Sequence, residues 1–320
     1  MEPKSSVIIT GASGLVGSRI IELLAHKYGF VAFDRSEAAD YLNQLPLASH
    51  SAIDLLDTDS VRRVIEASPA SYVIHLAAYT DVDGAEKERA EGNTGLCYRL
   101  NVNGTEAVAA ACRQSGKFLV YVSTEFVFDG KSGPYAEDAK VAKDPEDISW
   151  YGWTKLLGEQ AVQSSGAQSA TVRITYPFRA GYLQKADFAQ RILQLYKAGN
   201  LYPMFADQKT TPTWIDDLAT SLDIILAGRL AGNFHVACTD LTTPYDFAVA
   251  LLDQFHQAGQ TVEKGSLVEF LKTPGRTPRP VNGGLLTTKI QQQGVSLSTC
   301  RQAIEELYRQ ETQAEAALTV

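Results

Sequence analysis

A tyrosine and a lysine four positions apart lie in the segment "YGWTKLLGE" in the middle of the chain. If this segment is helical, Tyr151 and Lys155 lie one turn apart on the same face, which places an ammonium beside a phenol. A free phenol has a pKa of about 10, and a nearby cation stabilises the phenolate and eases proton exchange at neutral pH. The chain has 14 tyrosines, so this spacing also arises by chance. The surrounding sequence has to show whether this is a catalytic pair or a chance spacing.

A glycine-rich turn near the N-terminus has the pattern of a phosphate-binding site. The segment "VIITGASGLVGSRI" places Gly11, Gly14 and Gly17 after a strand-like run and at the start of a helical pattern. Glycines allow a tight turn, a close approach of pyrophosphate and close packing of helix on strand, while the helix N-terminus faces the anion. The sequence therefore predicts a dinucleotide site, with Ser13, Leu15 and Val16 completing the turn.

Acidic residues follow the next two strand-like runs. Asp34 comes about twenty residues after Gly14, where a carboxylate can accept hydrogen bonds from an adenosine ribose, which favours NAD. Arg35 is adjacent and could instead meet the 2′-phosphate of NADP. We therefore expect NAD or NADP, with a preference for NAD. Asp54 ends the third run beside Leu55 and could reach the adenine, although a helix cap nearby at Asp57 or Thr58 competes with this interpretation.

The elements that must position these residues alternate along the first half of the chain. Runs rich in β-formers are spaced by helical patterns, which indicates a parallel sheet covered on both faces. We predict strands at Val7–Thr10, Phe30–Phe33, Tyr72–Ala78, Phe118–Ser123 and Ala170–Thr175, and helices near Leu15–Tyr28, Ser60–Ala67, Tyr98–Gln114 and Tyr151–Val162.

This pattern predicts a doubly wound α/β fold with a smaller, interleaved C-terminal domain. The dinucleotide-binding domain is expected at residues 1–178, with its sheet completed by about 205–240 around "NFHVAC". Residues 179–204 and 241–320 are expected to form the substrate domain.

Composition excludes several classes of protein. The net charge is −8 and no basic stripe is present, so we expect no nucleic-acid partner. No run of eighteen apolar residues and no export signal is seen, so we expect a cytoplasmic protein without a membrane span. The four cysteines are scattered without a C-x-x-C pair, which argues against zinc and a disulfide framework, and no metal is predicted. The oligomeric state is left open, with a homodimer as one option.

Together, the glycine triplet, the second-strand acid and the Tyr-x-x-x-Lys spacing resemble the extended short-chain dehydrogenase/reductases over nearly the whole chain. In that family the fifth strand ends in Ser or Thr, which "YVSTEFVFDG" matches with Thr124. The resemblance implies that Tyr151 is the general acid, that Lys155 holds the nicotinamide ribose and lowers the tyrosine pKa, and that Thr124 donates to the same substrate oxygen.

Five further segments resemble the dTDP-4-dehydrorhamnose reductases, which reduce the 4-keto group of a nucleotide-linked deoxysugar. They are "HLAAYTDVDGAE", "STEFVFDG", "YGWTKLLGE", "ADQKTTPTWIDDLA" and "RPVNGGLLTTKI". The resemblance implies contacts with the cofactor from Ala77, Ala78, Tyr79, Tyr176 and Pro177, and with the substrate from Thr80, Asp81, Val82, Ser123 and Glu125. Arg276 and Arg279 are candidates for the substrate diphosphate, because guanidinium groups match such oxygens.

Departures from related families leave two alternatives. Glu125 and Phe126 replace the Asp-Glu pair of sugar-nucleotide 4,6-dehydratases, which disfavours water elimination, and His235 is expected to be a core residue. A 4-epimerase with tightly retained NAD would use the same three residues. A non-catalytic regulatory protein is the other alternative, because the regulatory subunit of methionine adenosyltransferase resembles the same branch.

Overall fold

A seven-stranded parallel sheet forms the centre of the molecule. The computed structural model describes residues 4–35, 39–182 and 184–318. The strands are β1 Ser5–Thr10, β2 Tyr28–Asp34, β3 Ser49–Ala52, β4 Tyr72–His75, β5 Phe118–Thr124, β6 Ser169–Ile174, β7 Met204–Phe205, β8 Gly232–His235 and β9 Lys264–Gly265. The order in the sheet is β3-β2-β1-β4-β5-β6-β8, and β7 pairs with β9 apart from it. The predicted doubly wound α/β fold is confirmed.

Helices cover both faces of this sheet. They are α1 Leu15–Leu24, α2 Ala39–Leu42, α3 Thr58–Ala67, α4 Val82–Lys87, α5 Leu96–Tyr98, α6 Thr105–Ser115, α7 Trp150–Ser165, α8 Phe188–Lys197, α9 Ile215–Gly228, α10 Pro244–His256, α11 Leu267–Leu271, α12 Thr288–Gln291 and α13 Cys300–Leu318. A turn of π-helix at Arg99–Gly104 joins α5 to α6.

The strands are apolar nearly throughout because both of their faces are buried. In β1, Ile9 belongs to a core with Ile20 of α1 and Leu222 of α9. The neighbouring Ile8 points to the opposite face, where it joins a core with Ile65 of α3. Alternate residues of one strand thus enter different layers.

A separate apolar core lies in the C-terminal part of the chain. It includes Phe178, Ile192 of α8, Phe247 of α10 and Leu307 of α13, all buried. The predicted return to the sheet near "NFHVAC" is confirmed, because β8 pairs in parallel with β6. The proposed boundary between a dinucleotide domain and a substrate domain stays a prediction.

Several element ends differ from the sequence prediction. Helix α1 ends at Leu24, and Tyr28, expected at its end, begins β2 and pairs with Ser5. Strand β4 ends at His75, three residues before the expected Ala78. Across the described residues, no helix has both the length and the apolar character needed to cross a membrane. The homodimer and the cytoplasmic location stay predictions.

Candidate active site

The end of strand β5 and the start of helix α7 meet at one point. Ser149 caps α7 by accepting a hydrogen bond from the Gly152 N–H at 3.1 Å. A Cβ on Gly152 would lie 2.2 Å from the Phe126 carbonyl oxygen, and one on Gly158 would lie 2.4 Å from the Tyr121 hydroxyl. Only glycine permits this approach of helix to strand. The first turns of α7 are therefore held against the carboxyl end of β5.

The three predicted catalytic residues lie together at this contact. Thr124 and Tyr151 lie close together, and the Thr124 hydroxyl accepts a hydrogen bond from the Phe126 N–H at 3.3 Å. Burial raises the pKa of Tyr151 to about 12, which the Thr124 side chain opposes. Lys155 is buried, and its Nζ donates to the Val122 carbonyl oxygen at 2.9 Å and lies 4.1 Å from the centre of the Tyr121 ring. The site thus combines a protonated phenol, a hydroxyl and a buried amine.

Burial dominates the pKa values of both Lys155 and Tyr151. Burial lowers the pKa of Lys155 to about 7, although the Glu159 carboxylate one turn along α7 opposes this. The pKa of Tyr151 is raised by burial and by Cys97 and lowered by Thr124. The Lys155 ammonium is directed at the β5 backbone, and the expectation that it lowers the tyrosine pKa stays a prediction.

A chain of hydrogen-bonded polar groups, which the sequence did not predict, runs from the end of β1 to Asn101. Thr10 at the end of β1 bonds to His75 at 2.7 Å, and the other ring nitrogen of His75 bonds to Thr105 at 3.1 Å. Thr105 donates to the Asn101 carbonyl oxygen at 2.8 Å. The only sequence signal for this chain was polar residues at the ends of apolar runs.

Asn101, in the π-helical turn, connects this chain to the catalytic helix. Its Nδ2 donates to the Thr154 hydroxyl at 3.0 Å, and its Oδ1 accepts from the Tyr79 N–H at 2.8 Å. The Thr154 hydroxyl in turn donates to the carbonyl oxygen of Tyr151 at 3.0 Å. Asn101 therefore fixes both the predicted cofactor residue Tyr79 and the backbone of Tyr151.

The glycine-rich turn follows the carboxyl end of β1 and leads into α1. Gly11 has a φ of +70°, and a Cβ there would lie 2.8 Å from the backbone nitrogen of Ala77. A Cβ on Gly17 would lie 2.3 Å from the Gly11 carbonyl oxygen. No side chain caps α1, whose N-cap is Gly14. Ser13 and Gly14 of the turn and Leu15 and Val16 of α1 are half-buried.

The acidic residues at the adenosine end have different partners. The Asp34 carboxylate accepts from the Ser13 N–H at 2.7 Å and from the Arg35 N–H at 2.8 Å, while the Arg35 side chain is exposed. Asp54 is exposed and accepts from the Leu56 N–H at 2.9 Å, two residues after β3. The helix cap that was the alternative interpretation of this segment is formed by Asp57, which accepts from the Ser60 N–H at the start of α3. Leu55 packs near Gly104.

The segment after β4 leads from the cofactor side to the substrate side. Ala77, Ala78 and Tyr79 are half-buried, and Thr80 is exposed. Asp81 caps α4 by accepting from the Gly84 N–H at 3.0 Å, and Val82 is the first residue of that helix.

Ser123 and Glu125, on either side of Thr124, are both buried but differ in their hydrogen-bond partners. The Ser123 hydroxyl has no hydrogen-bond partner among the described residues. Glu125 accepts hydrogen bonds from the Gly284 N–H and, at 3.4 Å, from the Thr210 hydroxyl. Burial raises the pKa of Glu125. The Glu125 carboxylate thus ties β5 to the loop around Gly284.

Tyr176 and Pro177 lie just after the end of β6. Tyr176 has a φ of +39°, which is uncommon for a residue with a side chain. Its hydroxyl accepts from the Gln208 Nε2 at 3.0 Å, and its ring lies 4.9 Å from that of Phe188. Pro177 is half-buried beside it. The strained conformation directs Tyr176 towards Gln208 and α8.

The two candidate arginines lie on the loop before residue 283 and have different contacts. Arg276 is exposed, and its guanidinium lies 4.3 Å from the centre of the Phe270 ring. Arg279 donates through Nη2 to both carboxylate oxygens of Asp83, at 2.8 and 2.9 Å. The two arginines therefore contact different residues, Phe270 for Arg276 and Asp83 for Arg279.

These features fit a bound dinucleotide. Gly11 and Gly17 allow a turn too tight for any other side chain, α1 has no side-chain cap, and the buried Ser123 hydroxyl lacks a partner among the described residues. A helix N-terminus of this kind accepts phosphate. The fold and the site define an NAD(P)-dependent oxidoreductase of the extended short-chain dehydrogenase/reductase class. More narrowly, residues 5–313 match the family described as RmlD substrate binding domain, and the chain belongs to that family.

Relatives and solved structures agree with this assignment. The chain is 30% identical over 314 residues to dTDP-4-dehydrorhamnose reductase of Aggregatibacter actinomycetemcomitans, covering 94% of this chain and 97% of that protein. It is 29% identical over 310 residues to methionine adenosyltransferase 2 subunit beta of Xenopus laevis, covering 93% of this chain and 85% of that protein. The structure of dTDP-4-dehydrorhamnose reductase from Bacillus anthracis in complex with NADP has a TM-score of 0.77 and 28% identity, covering 95% of this chain and 99% of that one.

Proposed function

We propose that this protein is an NAD(P)H-dependent reductase of the 4-keto group of a nucleotide-linked deoxysugar. The observation that carries the proposal is the position of Tyr151 beside Thr124 at the carboxyl end of β5, with buried Lys155 one turn further along α7. The names of the relatives support the substrate class, because a dTDP-4-dehydrorhamnose reductase matches nearly the full chain.

In this proposal, Tyr151 holds the proton that the carbonyl oxygen receives. With a pKa of about 12, its phenol is protonated at neutral pH and can act as a general acid. The Thr124 hydroxyl, which lies beside that phenol, stabilises charge on the same substrate oxygen. Reduced nicotinamide, when bound, supplies the hydride. Lys155, one turn after Tyr151 on the same face of α7, would hold the nicotinamide ribose.

The proposed cofactor contacts divide by position. The turn and the start of α1 would bind the pyrophosphate, because no side chain caps the first N–H groups of this helix. Residues proposed to hold the rest of the cofactor are Asp34, Arg35, Asp54, Leu55, Ala77, Ala78, Tyr79, Tyr176 and Pro177. Those proposed for the substrate are Thr80, Asp81, Val82, Ser123, Glu125, Arg276 and Arg279.

We further propose that NAD is preferred over NADP. The Asp34 carboxylate ends β2 beside Ser13 of the glycine-rich turn, so it can accept from ribose hydroxyls and repels a 2′-phosphate. Arg35 opposes this preference, since its exposed side chain could pair with that phosphate. Exchange of Asp34 for Asn should therefore improve the use of NADPH relative to NADH, measured as the ratio of kcat/KM values.

The deciding experiment follows NADH and NADPH oxidation by purified protein with freshly generated dTDP-4-keto-6-deoxyhexose. Tyr151→Phe should lower kcat by about 10²-fold or more while leaving cofactor affinity intact. Tyr135→Phe is the matched control, because its hydroxyl bonds to Asp129 and not to a catalytic residue. Equal turnover by wild type and Tyr151→Phe would refute the catalytic role.

A regulatory protein is the second candidate, because the methionine adenosyltransferase 2 subunit beta of Xenopus laevis matches 93% of the chain. This candidate predicts cofactor binding without oxidation of either nicotinamide on any nucleotide-linked keto-sugar. Co-purification with a catalytic partner, together with that inactivity, would favour it over the reductase.

A further inference from the structure

An ion pair joins two parts of the chain that are far apart in sequence. Arg279 and Asp83 are 196 residues apart, and Nη2 of the arginine lies 2.8 and 2.9 Å from the two carboxylate oxygens. Asp83 is in the first turn of α4, directly after the proposed substrate segment Thr80–Val82. The pair therefore connects that segment to the loop that carries both candidate diphosphate arginines.

The backbone around Arg279 is fixed by other contacts. The Pro280 carbonyl oxygen accepts from Gln208 Nε2 at 3.2 Å, and the Asn282 N–H donates to the Gly130 carbonyl oxygen at 2.7 Å. Pro280 also packs so closely on Gly130 that a Cβ there would lie 2.3 Å from its Cα. Loss of the ion pair therefore frees the Arg279 side chain without releasing the loop.

The pair itself is weakly held. The Asp83 side chain is 62% exposed and that of Arg279 is 21% exposed. Ion pairs in such surroundings are screened by water and salt and contribute little to stability. All hydrogen bonds that Arg279 makes within the described residues run through Nη2, so Nε and Nη1 remain as donors for a second partner.

The guanidinium is also close to the proposed site. Burial raises the pKa of Tyr176 to about 12, and the positive charge of Arg279 opposes this rise. Gln208 links Tyr176 to the backbone next to Arg279, because its Nε2 donates both to the Tyr176 hydroxyl and to the Pro280 carbonyl oxygen. A diphosphate entering beside Tyr176 would meet a cation whose present partner is a single exposed carboxylate.

We propose that Asp83 is an internal competitor for Arg279, and that the diphosphate of the nucleotide substrate displaces it. Before substrate binds, the carboxylate neutralises the arginine and orients its planar group. A diphosphate carries more charge and more acceptor oxygens than one carboxylate, so it forms the stronger bidentate contact. Asp83 thus sets the affinity for the nucleotide without itself contacting it. This inference rests on the proposed function, which supplies a nucleotide diphosphate as ligand.

The inference predicts that removal of an acidic residue strengthens ligand binding. Asp83→Asn should bind dTDP about two- to fivefold more tightly than wild type at low ionic strength, as expected when an exposed ion pair no longer has to be broken. The gain should shrink as salt is added, because salt already weakens the ion pair in the wild-type protein.

A double-mutant cycle separates this competition from simple repulsion between Asp83 and the ligand. Affinity for dTDP is measured by titration calorimetry for wild type, Asp83→Asn, Arg279→Gln and the double variant. Competition requires that the gain from Asp83→Asn disappears in the Arg279→Gln background, whereas repulsion would persist there. Arg276→Gln is the matched control, because Arg276 stacks on Phe270 on the same loop, and the gain should remain in its background.

The outcomes distinguish this inference from the proposed function. A gain that depends on Arg279 supports the competition. If Tyr151-dependent turnover is present but Asp83→Asn leaves the dTDP affinity unchanged, or improves it equally in the Arg279→Gln background, the competition is refuted and the reductase stands. If no variant binds dTDP and no turnover occurs, both proposals fall together.

Discussion

Two arginine–carboxylate pairs near helix α7 have hydrogen bonds of similar length but very different surroundings. Arg173 of β6 makes two hydrogen bonds to Glu159 of α7, at 2.9 and 2.7 Å, and both side chains are less than 10% exposed. Arg279 and Asp83 make contacts of similar length near the surface. Removal of one partner leaves an unpaired charge in the protein interior in the first case and a hydrated one in the second. Burial therefore separates a permanent structural pair from one that can exchange partners.

Breaking the buried pair should give the largest effect. Arg173→Met leaves the Glu159 carboxylate without its partner, beneath the turn of α7 that carries Lys155. We expect a loss of about 3–5 kcal/mol in the free energy of unfolding, measured with urea. Arg173→Met combined with Glu159→Leu should recover much of the loss, since no buried charge remains. A single variant as stable as wild type would show that the pair is not structural.

Acid should test the other buried polar groups of the molecule. Burial lowers the pKa of His75 and of His235 to about 3, against 6.5 for a free imidazole. These two histidines therefore bind two more protons in the unfolded chain than in the folded chain between these values, and their contribution to stability falls as the pH drops below 6.5. Each histidine should contribute a slope of roughly 1.4 kcal/mol per pH unit.

His235→Gln provides the control for this pH dependence. It removes one of the two histidines, so the slope of stability below pH 6.5 should fall by roughly 1.4 kcal/mol per pH unit in urea unfolding measured across that range. Wild type and His235→Gln with equal slopes would contradict the assignment of a neutral, buried His235.

Lys155 should produce a trend of the same sign at alkaline pH. Its folded pKa of about 7 lies below the ordinary value of 10.5, so the folded chain releases its proton first and stability rises between these values. Lys155→Met should flatten this rise in the Tm of the protein without added cofactor, and should raise Tm at pH 7. Lys272→Met is the control, because Lys272 is exposed and pairs with Glu269. Identical curves for wild type and Lys155→Met would contradict this prediction.

The smallest effect is expected at the exposed pair. Asp83→Asn should change the free energy of unfolding by less than about 1 kcal/mol in urea, because water replaces the lost partner of Arg279. A loss as large as that of Arg173→Met would mean that the exposed pair is structural and not exchangeable.

The comparison between sequence and structure follows a similar division. The glycine turn before α1, the Thr124 end of β5 and the Tyr151 helix all appear where the sequence predicts them. Each depends on neighbours within a few residues. The arrangement of Asn101 and the burial of Glu125 were not predicted, because their partners come from α7 and from the loop at Gly284.

The sequence by itself determined the order of strands and helices, the glycine-rich turn and the one-turn spacing of Tyr151 and Lys155. These features arise from the periodicity of side chains along a strand or helix, which is a local property. Only the tertiary structure decided that Arg173 pairs with Glu159, that Arg279 pairs with Asp83, and that Lys155 is directed at β5. The physical reason is that charge pairing and burial depend on which distant segments meet, and these same contacts set the pKa of each group.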